Sequence, residues 1–333
     1  MATALGKTIL KNNFKVDTFF DQAKMLDYFD RRLNDETIAG PLKLSLKRFK
    51  KYNRRAVVRY ELSNANKQQL IVFCSAAGDG SRKKTFEILK YFFDHNITTQ
   101  KPLWYDKRLK GMFYISAEGD NLYQYIQGQK NIDAWVEKAG LKLSQIHGLK
   151  PLRKLKLKKI DFKNQIDPEN VLRRYKKNWP KETSQAIAFK KRLFAEIDKI
   201  KPEKKTLCHG DFHPENIIIQ KQNHKIIDVI DFTDTGLCDP AYDLGSFMQQ
   251  LDFMSRIYTP AAKIEKLQQQ FFNTYLSNRN IAASDELIYK ITLFQILTAL
   301  KSAIFFMPSL KKPKKTAINF LLQEIEILFK KIS

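Results

Sequence analysis

The 333-residue chain is poor in cysteine, with three, and poor in acidic side chains, with 35 Asp and Glu against 59 Lys and Arg. Cys74, Cys208 and Cys238 have no paired or metal-like spacing, which argues against a zinc motif and a disulfide framework and for a reducing compartment. Cys208 and Cys238 read most simply as small buried side chains. No long apolar run is uninterrupted: Ile291 to Leu310 is broken by Gln295, Lys301 and Pro308, short of the roughly 20 apolar residues a membrane span needs. That stretch predicts a core helix. The N-terminal residues reach Lys7 before any apolar stretch of leader length, so no secretory leader is expected and a cytoplasmic location follows. Internal repeats, low-complexity linkers and a Gly-x-Gly-x-x-Gly loop are also missing from the sequence. The deficit of acids leaves a net charge of +24 and a pI near 9.7, which favours anionic partners and allows peripheral contact with an anionic membrane.

The chain is long enough, and at 43% apolar residues rich enough, to bury one large core or two moderate ones. Between Asp17 and Leu33, Phe19, Phe20, Ala23, Leu26 and Phe29 recur at helical spacing and predict a leading helix. Arg55 to Leu62 and Gln69 to Ser75 are β-rich runs joined by a turn-prone segment, so an antiparallel pair is expected. A helix over Lys83 to Phe93 and a further β-prone run at Gly111 to Ser116 complete a small sheet with one packed helix. Beyond Asp120 the apolar periods are helical, at Leu122 to Ile146, Ile264 to Tyr275 and Leu293 to Ile304. The segment 150–159 carries six Lys or Arg and reads as a solvated basic surface. The division is therefore 1–40 as an N-terminal helical extension, 41–120 as a small sheet lobe and 121–333 as a larger helical lobe.

The chemistry is concentrated in Thr206 to Ile219, containing His-Gly-Asp-Phe-His-Pro-Glu-Asn at 209–216, and in Lys225 to Phe232. Two apolar strands flank polar loops there, so a hairpin gathers the oxygens of Asp211, Asn216 and Asp231 at one end of a sheet. A few carboxylate and amide oxygens, with substrate phosphates beside them, suit magnesium. The spacing of His209, Asp211, Asn216 and Asp231 also occurs in kinase catalytic loops.

At these positions the sequence closely resembles the aminoglycoside phosphotransferase and choline kinase-like family, whose signature joins His-Gly-Asp-x-x-x-x-Asn, Ile-Asp-Phe/Trp and Asp-Pro-x-x-Asp-Leu. All three pieces are present, at His209 to Asn216, Ile230 to Phe232 and Asp239 to Leu244. Leu141 to His147 and Glu118 to Leu122 are similar to further family segments, and the likeness runs from about residue 55 to 310. The resemblance implies an α+β protein kinase-like bilobal fold with a small antiparallel-sheet N-lobe and a larger helical C-lobe. It implies an ATP-dependent, magnesium-requiring phosphotransferase acting on a hydroxyl of a small molecule or lipid head group. Asp211 then accepts or orients the hydroxyl proton, Asn216 and Asp231 hold magnesium, His209 and Asp243 brace the catalytic loop, and Asp239 shapes the loop after the metal site.

The sequence departs from the kinase pattern in the sheet lobe. Phe73 stands about where a strand Lys is expected to pair the nucleotide phosphates, and Thr85 or Glu87 near the expected partner Glu. Substitute cations are at hand: Arg48, Arg54 and Arg55 around a phosphate-covering loop ahead of the first strand pair, and Arg82 and Lys83 at the start of the following helix. A surface at +24 disfavours cationic acceptors and accommodates anionic ones more readily. Two other functions compete with phosphotransfer: a nucleotide-binding pseudokinase acting as scaffold or sensor, motivated by Phe73, and a basic polyanion-binding protein, motivated by 150–159. The sequence motifs give nucleic acid no specific support as a partner.

Overall fold

The computed structural model describes residues 14–332 except 34–37, 39, 53, 117, 152, 201–204, 222, 224 and 310–311, and leaves the side chains of 48–52, 312 and 313 outside the description. The chain divides into two compact units, Met1–Ala117 and Glu118–Ser333.

In the first unit a short turn of 3-10 helix, Val16–Phe20, precedes α1 (Gln22–Asp30), whose N-cap Asp21 accepts the backbone N–H of Lys24 at 3.1 Å. Five strands follow: β1 (Lys43–Tyr52), β2 (Arg55–Ser63), β3 (Gln69–Ala77) and, after α2 (Arg82–Asp94), β4 (Lys101–Asp106) and β5 (Gly111–Ile115). They form one antiparallel sheet in the order β1-β2-β3-β5-β4. Along β2 every second side chain, Ala56, Val58, Tyr60 and Leu62, is buried, as the period of two requires. Those residues pack with Val72, Cys74 and Phe113 of the sheet and with Phe19, Met25 and Phe29 of the leading helical segment in one core. The hydroxyl of Tyr60 donates to the carbonyl of Phe19 at 2.7 Å. The N-terminal helical segment is thus part of the sheet lobe's own core, where the sequence suggested a separate extension.

Strand β1 corrects a second expectation. Its Lys and Arg residues suggested a loop covering phosphates, but they lie in a strand paired antiparallel with β2, Lys47 opposite Arg59 and Arg48 opposite Val58, with a register shift between Arg48 and Lys50. The alternation of Leu44 and Leu46 with polar neighbours carried the signal, and the density of charge after Leu46 masked it.

The second unit opens with β6 (Gly119–Asn121), which pairs with Ile218, Ile219 and Gln220 of that unit, so Gly119 and Asp120 belong with the helical lobe and not with the sheet lobe. Then come α3 (Leu122–Gln127), α4 (Asp133–Gly148), α5 (Glu169–Leu172) and α6 (Pro180–Lys199). Four short strands, β7 (Thr206–Cys208), β8 (Ile217–Gln220), β9 (Ile227–Val229) and β10 (Gly236–Cys238), form a β6-β8-β9 sheet and a β7-β10 pair. Four helices complete the unit: α7 (Ala241–Ser255), α8 (Ala261–Arg279), α9 (Asp285–Phe306) and α10 (Lys312–Lys331). Helix α9 packs between α7 and α10 as the central core helix, with Leu293, Ile296, Leu297 and Leu300 fully buried. It is long and apolar enough to cross a membrane, but 67% of its apolar window is buried inside the unit. The basic segment runs over the surface, anchored by buried Leu155 and by Lys158 and Ile160 bonding to the backbone of Leu237.

Candidate active site

The short strands of the second unit place the candidate catalytic segment by pairing its flanks. Strand β8 follows Asn216 directly, and the backbone N–H of Ile230, just past β9, donates to the carbonyl of Asn216 at 3.0 Å. Asp231, the next residue, is thereby set beside Asn216. It adopts a left-handed backbone (φ 61°), which costs a non-glycine residue strain and is held here by its own carboxylate, which accepts the hydroxyl of Thr233 at 2.7 Å.

Asn216 is oriented from the other side. Its amide NH2 donates to the backbone carbonyl of Asp211 at 2.9 Å and lies 3.4 Å from the Asp211 carboxylate and 3.0 Å from His213 Nε2. That leaves Oδ1 turned away from those partners. Asp231, the residue after Ile230, supplies a carboxylate, so the side chains that could hold a magnesium ion offer hard oxygen only, the donor type magnesium takes. Nearby, His213 Nε2 lies 3.4 Å from Asp211 Oδ2. Burial works against the charge of Asp211, but the hydrogen bond and charge of His213, with His209 and Lys301, outweigh it and hold the carboxyl below its usual range. Asp211 is therefore ionised and able to accept a proton.

The loop is braced by buried polar groups. Asp243, at the start of α7, accepts the backbone N–H of His209 and of Gly210. His209 bridges Asp211 N–H at Nδ1 and the carbonyl of Ile230 at Nε2, tying the two halves of the site together. Gly210 has φ +88°, and a Cβ there would lie 2.2 Å from the carbonyl oxygen of Asp234, so this turn admits glycine alone. Asp239 accepts the backbone N–H of Ala241 at 2.9 Å and lies 3.6 Å from Lys290. His147, Cys208 and Asp243 bring possible metal ligands within 4.8 Å of one another, but His147 is engaged by Tyr275 and Asp243.

Cys208 and Cys238 form a disulfide, which corrects the expectation of reduced thiols. Thirty residues separate them in sequence, and only the antiparallel pairing of β7 with β10 brings them together. The bond ties the strand that leads into His209 to the strand that leads into Asp239. Cys74 is free and buried.

Two charged residues of the site escaped the sequence reading. Asp234 lies close enough to Asp211 and Asp231 that, with burial as the larger cause, their charges push its carboxyl upward. Lys301, read only as an interruption of an apolar run, donates to Gln165 at 2.6 Å and lies 3.5 Å from the hydroxyl of Tyr242. Burial lowers its ammonium while the carboxylates of Asp211 and Asp234 act to raise it. The spacing of Asp231 and Asp234 in one short loop was available in the sequence; nothing local signalled Lys301.

The remaining candidates belong to the first unit. Arg54, Arg55 and Arg82 gather at the turn Gly78 to Gly80. Arg54 lies 3.5 Å from the carbonyl of Gly78, and the charges of Arg55 and Arg82 reinforce the Ser81 hydrogen bonds that lower the Asp79 carboxyl. Lys83 is exposed and 4.0 Å from Glu87, which pairs within its own helix; Thr85 is buried. Arg48 has a defined strand position, and its side chain lies outside the described residues. Phe73 stacks on Tyr114 in the middle of the sheet, with centroids 5.9 Å apart. Its partner across to β2 is Arg59, a cation in the same sheet row, ion-paired to Glu61.

Comparison with known proteins agrees with this architecture. The family model described as phosphotransferase enzyme family matches residues 58–280. A spectinomycin phosphotransferase in complex with ADP and spectinomycin superposes with a TM-score of 0.63 at 13% identity, covering 92% of this chain and 97% of its own. An amicoumacin kinase superposes at 0.63 with 15% identity, covering 94% and 95%. A choline kinase from Cryptosporidium parvum superposes at 0.61 with 12% identity, covering 94% and 96%. No curated protein sequence matches the chain. The fold is α+β and kinase-like, with a small antiparallel-sheet lobe and a larger helical lobe.

Proposed function

The chain belongs to the phosphotransferase enzyme family, and we propose that it moves the γ-phosphoryl group of ATP, with magnesium, to a hydroxyl of a small organic acceptor. The observation that carries this reading is that Asn216 bonds through its amide to Asp211, which is held ionised, and through its backbone to Ile230, the residue before Asp231. Asp211 accepts the acceptor's hydroxyl proton as that oxygen bonds to the γ-phosphorus. The bond from the phosphorus to the bridging oxygen breaks, and its electrons leave on ADP. Asn216 and Asp231 are the residues that would hold magnesium, which when bound offsets the negative charge of the phosphates. His209 and Asp243 keep the loop in register, and Asp234 limits the room beside Gly210.

Calorimetric titration of the full chain with ATP tests the reading without knowledge of the acceptor. Binding is expected to need magnesium and to weaken at least about tenfold in Asp231→Ala, the loss of about one charge-assisted contact. Magnesium-independent binding with unchanged affinity in that variant would contradict it. A nucleotide-binding protein without turnover is the second reading, favoured by Phe73 at the strand position where the kinase pattern has Lys. Binding of ATP with no phosphoryl transfer to any acceptor would support it.

A further inference from the structure

A cavity of about 1040 Å³ lies within the helical lobe, and its lining includes Lys301 and Glu215, the residue before Asn216. That volume is at the upper end for a drug-sized ligand and far exceeds what a simple amino alcohol fills. Its walls are aromatic: Phe253 stands between Phe306, centroids 5.9 Å apart, and Phe320, 6.1 Å apart. Phe305 and Ile257 at the rim are 77% and 79% exposed, an apolar lip on an otherwise strongly charged protein.

The protein's own cations sit over one face of each of two of these rings. Lys314 Nζ lies 4.1 Å from the ring centroid of Phe306, and the Arg256 guanidinium 4.5 Å from that of Phe320. A cationic acceptor entering here would meet like charge at each of those rings. Arg256 is partly neutralised by Asp252 at 2.6 Å. Lys314, in the first turn of α10, sees no acidic residue in that turn, and the helix's partial positive end adds to its charge. Of the acidic residues lining the cavity, Asp167 and Glu215, the second belongs to the loop beside Asn216. The cavity therefore joins groups of the loop, an aromatic wall, and positive charge at the start of α10.

We infer that the acceptor is an amphipathic alcohol whose apolar body lies on Phe253, Phe306 and Phe320, whose anionic group pairs with Lys314 beside Arg256, and whose hydroxyl reaches Asp211. This rests on the phosphotransferase reading and narrows its acceptor to one class. Positive charge where a cationic substrate would need negative charge gives the selectivity, by repulsion as much as by attraction.

Two fluorescent probes of one shape test it on the full-length protein: 8-anilinonaphthalene-1-sulfonate, which is anionic, and N-phenyl-1-naphthylamine, which lacks the sulfonate. At a salt concentration that screens the general surface charge, the sulfonate probe is expected to bind at least tenfold more tightly. Lys314→Glu is expected to remove that preference while leaving the neutral probe unchanged. Ser302→Trp, which fills the cavity from α9, is expected to weaken both probes at least tenfold. Equal affinity for the two probes, an undiminished preference in Lys314→Glu, or unaltered binding in Ser302→Trp would each overturn the inference. Titration of the same preparations with magnesium and ATP reports separately on phosphotransfer: loss of nucleotide binding with the probe preference intact rejects the enzyme reading and leaves the cavity chemistry standing.

Discussion

The carboxylate of Asp243 accepts the backbone N–H of His209 at 2.7 Å across 34 residues of sequence. It also accepts Gly210 N–H at 3.0 Å and lies 3.0 Å from His147 Nε2, so one buried side chain from α7 fixes the entry to the catalytic loop. Truncating it leaves two buried N–H groups and an imidazole without their acceptor. Asp243→Ala is expected to lose about 3–5 kcal/mol of stability. Urea unfolding measures the loss; a change below about 1 kcal/mol would mean the loop is held by other contacts.

A second prediction concerns Glu324, which burial between α7 and α10 pushes up to about 8 and whose carboxylate accepts the amide of Gln249 at 3.0 Å. The folded value exceeds the unfolded one, so the folded state holds the proton more strongly. Its contribution is complete below the ordinary carboxylate range and disappears as pH rises from about 4.5 through 8. Glu324→Gln keeps the hydrogen bond without the titration. Thermal unfolding of the wild type is therefore expected to lose stability over that interval relative to the variant, by several kcal/mol. Parallel curves for the two proteins would refute the assignment.

The Cys208–Cys238 bond closes a loop of 30 residues, and constraining an unfolded chain of that length contributes about 3–4 kcal/mol. Cys208→Ser, or reduction under native conditions, is expected to lower the unfolding free energy by about that amount. Non-reducing peptide mapping supplies the direct check, and recovery of both thiols in free form from native, unreduced protein would count against the bond.

The loop proposed as catalytic was legible as a local unit in the sequence because its parts are close together. His209, Asp211 and Asn216 fall within eight residues, and the apolar strands on either side declare the hairpin that joins them to Asp231. The sheet lobe was legible wherever burial alternates cleanly, as in β2, and hidden in β1, where charge density masks the period. What failed to show is what depends on distant segments meeting. The disulfide needs the register of β7 against β10. Lys301 needs α9 to present one cation to a loop some 90 residues earlier, and in the sequence it differs from other lysines only by interrupting an apolar run. Glu324 likewise acquires its raised proton affinity from burial by segments distant in sequence, which no neighbour in sequence announces.

The central claim is that Asp211 takes the proton of an alcohol while phosphate is transferred to it. Its most direct test is to incubate the wild type and Asp211→Asn with magnesium, γ-labelled ATP and the small-molecule fraction of a cell extract, and to follow label entering organic compounds. The account predicts labelled phosphate esters with the wild type and at least about a hundredfold slower labelling with the variant, at unchanged affinity for nucleotide. Equal labelling rates in the two proteins would contradict it.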